Sequence, residues 1–152
     1  MKTDYAELCA RLEALSADVP HLIANLANAS ALIYETLEGL NWAGFYIAEG
    51  MKLVLGPFQG KPACIEIPFG RGVCGTAAQS GETQVVADVH RFPGHIACDG
   101  ASNSEIVVPI RNKKDGTVWG VLDIDSPLYG RFDDCDRSGL EALVKIIENF
   151  IM

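Results

Sequence analysis

The stretch HIACDGASNSEIVVPI, residues 95–110, leads from a polar, glycine-bearing loop into an apolar segment that a glutamate opens. Residues 106–110 have the composition of a buried strand, which would hold the loop before it in place. The small residues from Gly100 to Ser104 allow a ligand to approach the backbone closely. A loop thiol, Cys98, lies seven residues before Glu105. A loop cysteine followed by an acid at the start of a rigid strand indicates chemistry at this edge of the domain.

The segment that follows predicts a hairpin with acids at its end. A turn at residues 112–117 joins the first strand to a second one over 118–124. Asp123 and Asp125 are two residues apart, so both carboxylates project from the same face. Together with Glu105 they would form a cluster, because the hairpin brings these strand ends together. Like charges in a partly buried pocket raise the pKa of at least one acid, which can then protonate an oxygen. Solvation of the strand ends is the alternative interpretation.

Outward from this hairpin, hydrophobic periodicity and breaker residues define the other elements. Helices are predicted from Thr3 or Asp4 to about Ser16, over 21–37 with Gly39 as terminator, at the glycine-dense start around 72–76, and from Asp133 or Asp134 onward. Strands are predicted over 41–48, 51–55, 63–67 and 83–86, with a linker from Gly56-Pro57 to Pro62. Six strands, mostly connected by hairpins and flanked by helices, predict an α+β fold, a mostly antiparallel sheet with helices packed on its faces.

Size and charge restrict the classes of function. The chain has 152 residues, 49% of them apolar, which suits one domain over 1–152 with a full core. Its net charge of -8 makes nucleic acid and anionic membranes poor partners, whereas a ligand with an ammonium group fits. The N-terminal residues include Asp4 and Glu7, and no apolar run reaches membrane-spanning length. We therefore expect a cytoplasmic protein.

Five cysteines are an odd number in a chain with an ample core, which argues against a secreted disulfide framework. No pair has CxxC spacing, and the three histidines are not spaced with the cysteines as a zinc set. The sequence therefore predicts reduced thiols, no metal and no cofactor.

Three of the cysteines, Cys64, Cys74 and Cys98, occupy the middle of the chain. Their grouping favours thiol–disulfide chemistry, which requires an attacking thiolate and a resolving thiol. Cys74 falls near the start of the predicted short helix, where the thiolate is favoured. Cys64 and Cys74 each have an alternative interpretation as small core residues.

Aromatic and histidine residues complete the candidates. Trp42 and Tyr46 share a strand face and would wall a pocket for an apolar group, although core packing is the commoner role of such pairs. His90 and His95 lack an assigned carboxylate partner, so we interpret them as hydrogen-bonding loop residues and leave them out of catalysis.

Several segments together resemble one family, the free methionine-(R)-sulfoxide reductases, which are stand-alone GAF-domain enzymes. The segments are NWAGFY at 41–46, LVLGPFQGKPAC at 53–64, GRGVCGTA at 70–77, HIACDGASNSEIVVPI at 95–110 and GVLDIDS at 120–126. They span nearly the whole chain. The resemblance implies a GAF-like domain, a homodimer, and recycling by thioredoxin.

The resemblance also implies residue roles. The nucleophile would be Cys98, the resolving thiol Cys64 and an auxiliary thiol Cys74. Glu105, Asp123 and Asp125 would form the substrate site. Chemistry agrees, because a thiolate attacking the sulfoxide sulfur needs an acid on the oxygen, for which Glu105 and Asp125 are the candidates.

A free amino acid also carries an ammonium and a carboxylate. We assign the ammonium to Asp123 and expect the carboxylate near the amides of residues 72–76 or of 102–104, with Ser104 as a substrate contact.

Two other functions stay open from the residues alone. A GAF-like sensor would bind a small ligand without turnover, although we expect a sensor to carry an output segment. A redox-sensing module would oxidise its thiols without reducing sulfoxide. Turnover of free methionine sulfoxide distinguishes the three functions.

Overall fold

The computed structural model describes residues 1–95 and 100–151. The helices are α1 (Tyr5–Ser16), α2 (Leu22–Thr36), α3 (Gly72–Ser80) and α4 (Asp134–Glu148), with a 3-10 turn at Val89–Arg91. The strands are β1 (Trp42–Glu49), β2 (Lys52–Gly60), β3 (Glu66–Pro68), β4 (Gln84–Val86), β5 (Ser104–Arg111) and β6 (Val118–Ser126).

The six strands form one antiparallel sheet in the order β3-β2-β1-β6-β5-β4. The predicted α+β class, with six mostly antiparallel strands, is confirmed. The 105–125 hairpin is also confirmed, because β5 and β6 pair along their length and Glu105 lies opposite Asp125. The strands β1, β6 and β5 are therefore adjacent inside the sheet. Glu105 is in β5, and Asp123 and Asp125 are in β6.

Both faces of the central strands are covered by apolar residues. On one face Ala43 and Phe45 of β1 and Ile106 of β5 pack in a core with α1, α2 and α4. On the other face Tyr46 and Val107 pack in a smaller core with α3. This division explains why the strands read as nearly continuous apolar runs.

Acidic caps fix where the outer helices begin. The Asp4 carboxylate accepts from the Glu7 amide at the start of α1. At the start of α4, Asp133 accepts from the Asp136 amide, and the Asp136 carboxylate accepts from the Asp133 amide, which makes a reciprocal capping box. The cap predictions are thus confirmed and resolved to Asp4 and Asp133.

The predicted linker after residue 55 was wrong, because β2 continues to Gly60. Tyr46 pairs with Leu55 and Gly44 with Phe58, so two residues of β2 lie opposite one residue of β1. This is a β-bulge, and a bulge is where a strand tolerates proline, here Pro57.

The starts of two other strands also differ from prediction. β3 begins at Glu66, so Cys64 lies in the irregular segment before it. β5 begins at Ser104, two residues before the predicted strand over 106–110, so Glu105 is the second residue of the strand.

None of the helices formed by the described residues has the length and apolar composition needed to cross a membrane.

Candidate active site

Three neighbouring strands place a tryptophan and two acids in one row across the sheet. Trp42 of β1 lies opposite Asp125 of β6, and Asp125 lies opposite Glu105 of β5. Side chains directly opposite each other on antiparallel strands have Cβ atoms about 5 Å apart. The register of the sheet therefore brings two carboxyl groups against each other beside an indole ring.

The third acid, Asp123, lies two residues before Asp125 on the same face of β6. Asp123 lies between Gly44 of β1 and Val107 of β5. Gly44 has no side chain because a Cβ there would be 2.2 Å from the Cβ of Phe58 on β2. Phe58 instead stacks on Trp42, with ring centroids 5.0 Å apart, and supports the indole from behind.

Helix α3 forms the wall opposite the acids. The Cys74 thiol lies 3.8 Å from Oε2 of Glu105, within hydrogen-bonding range for sulfur. Gly75 allows this close packing, because a Cβ there would be 2.5 Å from the carbonyl oxygen of Pro68. The helix therefore presents a buried thiol directly to the carboxylate cluster.

The aromatic residues hold the segment that carries Cys64. The indole Nε1 of Trp42 donates to the carbonyl of Lys61 at 3.1 Å, and the Tyr46 hydroxyl donates to the carbonyl of Cys64 at 2.9 Å. Their polar groups are thus satisfied by backbone, and the rings, 5.9 Å apart, are left as an apolar wall. Both residues line the pocket, and their contact with substrate stays a prediction.

Burial and mutual repulsion keep protons in this cluster. Burial raises the pKa of Glu105 well above its usual range, and the charges of Asp123 and Asp125 raise it further. Burial raises the pKa of Asp125 in the same way, followed by the charge of Asp123. A carboxylic acid at this site therefore persists at a pH where an exposed one would be ionised.

The expectation of a favoured thiolate at Cys74 was wrong. Burial raises the pKa of its thiol well above the usual value, and the charges of Asp123, Glu105 and Asp125 add to the effect. The positive end of α3 does not offset this, because the three acids lie on the side that the thiol faces. Cys74 is a free thiol, and its raised pKa favours the protonated form.

Two carboxylate oxygens point at space that a ligand would fill. Oδ1 of Asp123 and Oδ1 of Asp125 are buried and have no hydrogen-bond partner among the described residues. Leaving such acceptors unpaired costs about 1–3 kcal/mol each, more when they are charged. They line a pocket with about 510 Å³ of atom-free space, including its open mouth. A bound group with several N–H donors would satisfy both oxygens.

The structure brings together most of the predicted site residues. Trp42, Tyr46, Cys74, Glu105, Asp123 and Asp125 all line this one pocket. Cys64 packs against the core on the same side of the sheet. Cys98, the predicted nucleophile, lies outside the described residues.

Ser104 requires a correction. Its hydroxyl donates to the Leu128 carbonyl at 2.5 Å and accepts from the Arg131 amide at 3.3 Å. Neighbours along a strand alternate between faces, so the Ser104 side chain points away from Glu105 and is not part of the pocket lining. Ser102, which is buried and does line the pocket, takes that place.

Sequence reasoning also missed His95, which lines the pocket although we had left it out of catalysis. Burial lowers the pKa of His95, and the neighbouring His90, with ring centroids 6.3 Å away, lowers it further. A neutral imidazole at the pocket is therefore favoured. The only available signal was its position three residues before Cys98.

In the part of the chain that the structure describes, one combination of side chains could hold a cation. The ligating atoms of Cys74, Glu105 and Asp123 all lie within 4.8 Å of one another, and all three residues are buried. Spacing along the sequence gave no hint of this set, because its members come from α3, β5 and β6.

Sheet order, helix arrangement and pocket position define a GAF domain, and the sequence pattern of the GAF domain family matches residues 11–151. Among individual proteins, the chain is 55% identical over 147 residues to the free methionine-R-sulfoxide reductase of Escherichia coli (strain K12), covering 97% of this chain and 88% of that protein. It is 51% identical over 148 residues to the enzyme of the same name from Saccharomyces cerevisiae, covering 93% and 82%. The chain therefore belongs to the free methionine-R-sulfoxide reductase family of GAF-domain proteins.

A solved structure agrees over the full length. The substrate complex of fRMsr of Staphylococcus aureus superposes with a TM-score of 0.93 at 54% identity, covering all of this chain and 98% of that one. The family resemblance predicted from the sequence motifs is thus confirmed.

Proposed function

We propose that this protein reduces free L-methionine-(R)-sulfoxide to L-methionine. The observation that carries the proposal is the buried Glu105–Asp125 pair, which retains a proton beside a pocket with an apolar aromatic wall. A sulfoxide needs this combination, because its oxygen must be protonated while its methyl group is held in an apolar contact. The names of the relatives point to the same substrate.

Each chemical group of the substrate contacts a different set of pocket residues. The protonated acid of the Glu105–Asp125 pair donates to the sulfoxide oxygen. The unpartnered oxygen of Asp123 accepts from the ammonium group. The rings of Trp42 and Tyr46 contact the methyl group and the thioether chain.

Reduction then follows in two steps. The Cys98 thiolate attacks the sulfoxide sulfur while the acid protonates the oxygen, which gives an adduct with a bond between the two sulfur atoms. The hydroxyl then moves from the substrate sulfur to the Cys98 sulfur as the bond between the sulfur atoms breaks, so methionine leaves and Cys98 becomes a sulfenic acid. The thiol of Cys64 attacks this sulfur, a disulfide forms and water is released. The two thiols together supply the two electrons that reduce the sulfoxide, and its oxygen leaves as water.

The second step depends on where Cys64 lies relative to the pocket. The carbonyl of Cys64 is held by the Tyr46 hydroxyl at the pocket wall. Cys9, Cys74 and Cys135 are free thiols, and Cys64 is not among them. Cys74, protonated and buried, is the auxiliary thiol. Recycling by thioredoxin, assembly as a homodimer and a cytoplasmic location complete the proposal and rest on the resemblance and the sequence.

The test is single-turnover chemistry with free methionine sulfoxide. Cys98→Ser should form no methionine, because a serine hydroxyl is not ionised at neutral pH. Cys64→Ser should form about one equivalent and then stop, even with thioredoxin and its reductase present. Cys135→Ser, at an exposed position on α4, is the matched control and should behave as the parent. Normal cycling in Cys64→Ser would transfer the resolving role to Cys74, and methionine formation by Cys98→Ser would refute the mechanism.

A further inference from the structure

The set Cys74, Glu105 and Asp123 combines features that a substrate site for a sulfoxide does not require. A sulfoxide and an ammonium need carboxyl groups, yet a free thiol lies 3.8 Å from one of them and points into the same pocket. All three residues are at least 94% buried, and their ligating atoms converge within 4.8 Å. The set thus combines a soft donor, the thiol sulfur, with two hard donors, the carboxylate oxygens.

The spacing of these donors matches a tetrahedral metal centre. Zinc binds thiolate sulfur at about 2.3 Å and carboxylate oxygen at about 2.0 Å, so sulfur and oxygen ligands of one ion are about 3.5 Å apart. The observed separation of Cys74 Sγ and Glu105 Oε2 is 3.8 Å. This sulfur–oxygen pair is within a few tenths of an ångström of that spacing, whereas the Asp123 oxygen, which lies within 4.8 Å of both, has to move closer when an ion binds.

A second observation points to a ligand independently of the clustering. Asp123 is only 5% exposed and lines the pocket, and its Oδ1 has no hydrogen-bond partner within residues 1–95 and 100–151. A carboxylate oxygen in this condition is stabilised by a positive charge placed against it. Three donors with an open fourth position are the arrangement of zinc sites that exchange their fourth ligand.

We propose that Cys74, Glu105 and Asp123 bind a thiophilic divalent cation such as Zn²⁺, which competes with the sulfoxide for the pocket. Binding of the cation displaces the proton of the Cys74 thiol to solvent. The resulting thiolate selects against Mg²⁺ and Ca²⁺, which require six or more oxygen ligands. The cation occupies the place of the substrate ammonium and ties up the acid, so the bound protein is held inactive. This last consequence rests on the proposed function, whereas the binding itself does not.

The binding test removes the two cysteines of the proposed catalytic cycle. A Cys64→Ser/Cys98→Ser protein is titrated anaerobically with Co²⁺, whose thiolate charge-transfer and tetrahedral absorption bands report the ligands, and Zn²⁺ is then added to displace it. We expect one equivalent with a thiolate band. Adding Cys74→Ser should remove that band, whereas adding Cys135→Ser, the matched control, should leave it unchanged. A band that survives Cys74→Ser, or that disappears with Cys135→Ser, overturns the site.

Carboxylate variants keep the test decisive if Cys74→Ser fails to fold. In the same double-serine protein, Glu105→Gln and Asp123→Asn should each weaken Co²⁺ binding by at least about tenfold, since even outer-shell losses have effects of that size. Unchanged affinity in both variants would refute the ligand set. Far-UV circular dichroism checks the fold of each protein.

Competition is measured in the same inactive protein, so it does not depend on turnover. Free methionine sulfoxide should displace Co²⁺ and abolish the thiolate band, and the blocked N-acetyl, C-amide form should do so much less well. Failure of the free compound to displace Co²⁺ would refute the inhibitory role. If the unaltered protein shows no sulfoxide turnover while the Cys74-dependent band persists, the proposed function fails and the metal site stands.

Discussion

Glu105 shows how one residue is made useful by an environment that disfavours it. It is 6% exposed, lies opposite another acid, and has a raised pKa because burial and the charges of Asp123 and Asp125 oppose ionisation. The same interactions that keep its proton available also destabilise the folded chain. Function and stability should therefore change in opposite directions when it is replaced.

Glu105→Gln should slow the sulfoxide step by on the order of a hundredfold, because a positioned acid commonly contributes that much. The amide can still donate a hydrogen bond, but it cannot transfer the proton. The measurement is the burst rate of methionine formation in single turnover. A burst as fast as that of the parent would leave Asp125 or water as the acid.

The same substitution should stabilise the protein near neutral pH, because the amide removes a buried group whose ionisation the fold opposes. A buried carboxyl with a raised pKa binds more protons in the folded than in the unfolded state, so its contribution to stability falls as pH rises above about 4. The Glu105→Gln variant has no carboxyl at this position, so its stability does not fall with pH for this reason. Its advantage in urea unfolding should therefore be small at pH 4 and grow towards pH 7; an advantage that is constant with pH would show that the carboxyl is ionised freely in the fold.

At the scale of the elements, glycines set how closely helices approach their neighbours. Gly139 in α4 is such a position, because a Cβ there would be 2.1 Å from Cγ of Tyr5 in α1. The hydroxyl of Tyr5 donates to Oδ1 of Asp136 at 2.6 Å, so the ring cannot move without breaking this bond. The contact between α1 and α4 is thus determined by a missing side chain.

Gly139→Ala should lower the free energy of unfolding by about 1–3 kcal/mol, the usual cost of overpacking. Alanine favours helix, so a loss of stability would come from the clash and not from propensity. The matched control is Ser138→Ala, which is exposed on the same helix and should be neutral or slightly stabilising. Thermal unfolding of the two variants is the measurement, and equal melting temperatures would mean that α1 can shift to accommodate the methyl group.

For the whole molecule, net charge and pocket chemistry favour the same kind of ligand. The chain carries a net charge of -8, and three of its acids line one pocket. In the proposed binding mode a free amino acid places its ammonium group against Asp123, whereas a methionine sulfoxide residue within a polypeptide has lost both its ammonium and its carboxylate. Discrimination between the two should therefore be large.

Free methionine sulfoxide should have a kcat/KM at least about a hundredfold higher than its N-acetylated, C-amidated form. Each buried charged group left without its partner costs roughly 1–3 kcal/mol or more, which accounts for this ratio. Asp123→Asn should reduce the preference by raising KM for the free form alone. Comparable values for both compounds would confine the acids to activating the sulfoxide oxygen.

Local sequence determined the elements of this protein. Leucine spacing located α1 and α2, and the acidic caps located the start of α4. The turn at residues 112–117 between two apolar runs predicted the β5-β6 hairpin, with Asp123 and Asp125 on one face. These features depend on contacts between residues close in sequence. The course of β2 past Pro57 was mispredicted because the bulge that accommodates it depends on pairing with β1.

Tertiary structure alone decided the chemistry of the thiol on α3. Sequence placed Cys74 at a helix start and predicted a thiolate, whereas the fold packs it against Glu105 and raises its pKa. It also turned the Ser104 hydroxyl away from the pocket and brought His95 into it. Burial and distance between segments far apart in sequence set these properties, because desolvation and charge repulsion depend on what surrounds a group in space and not on its neighbours along the chain.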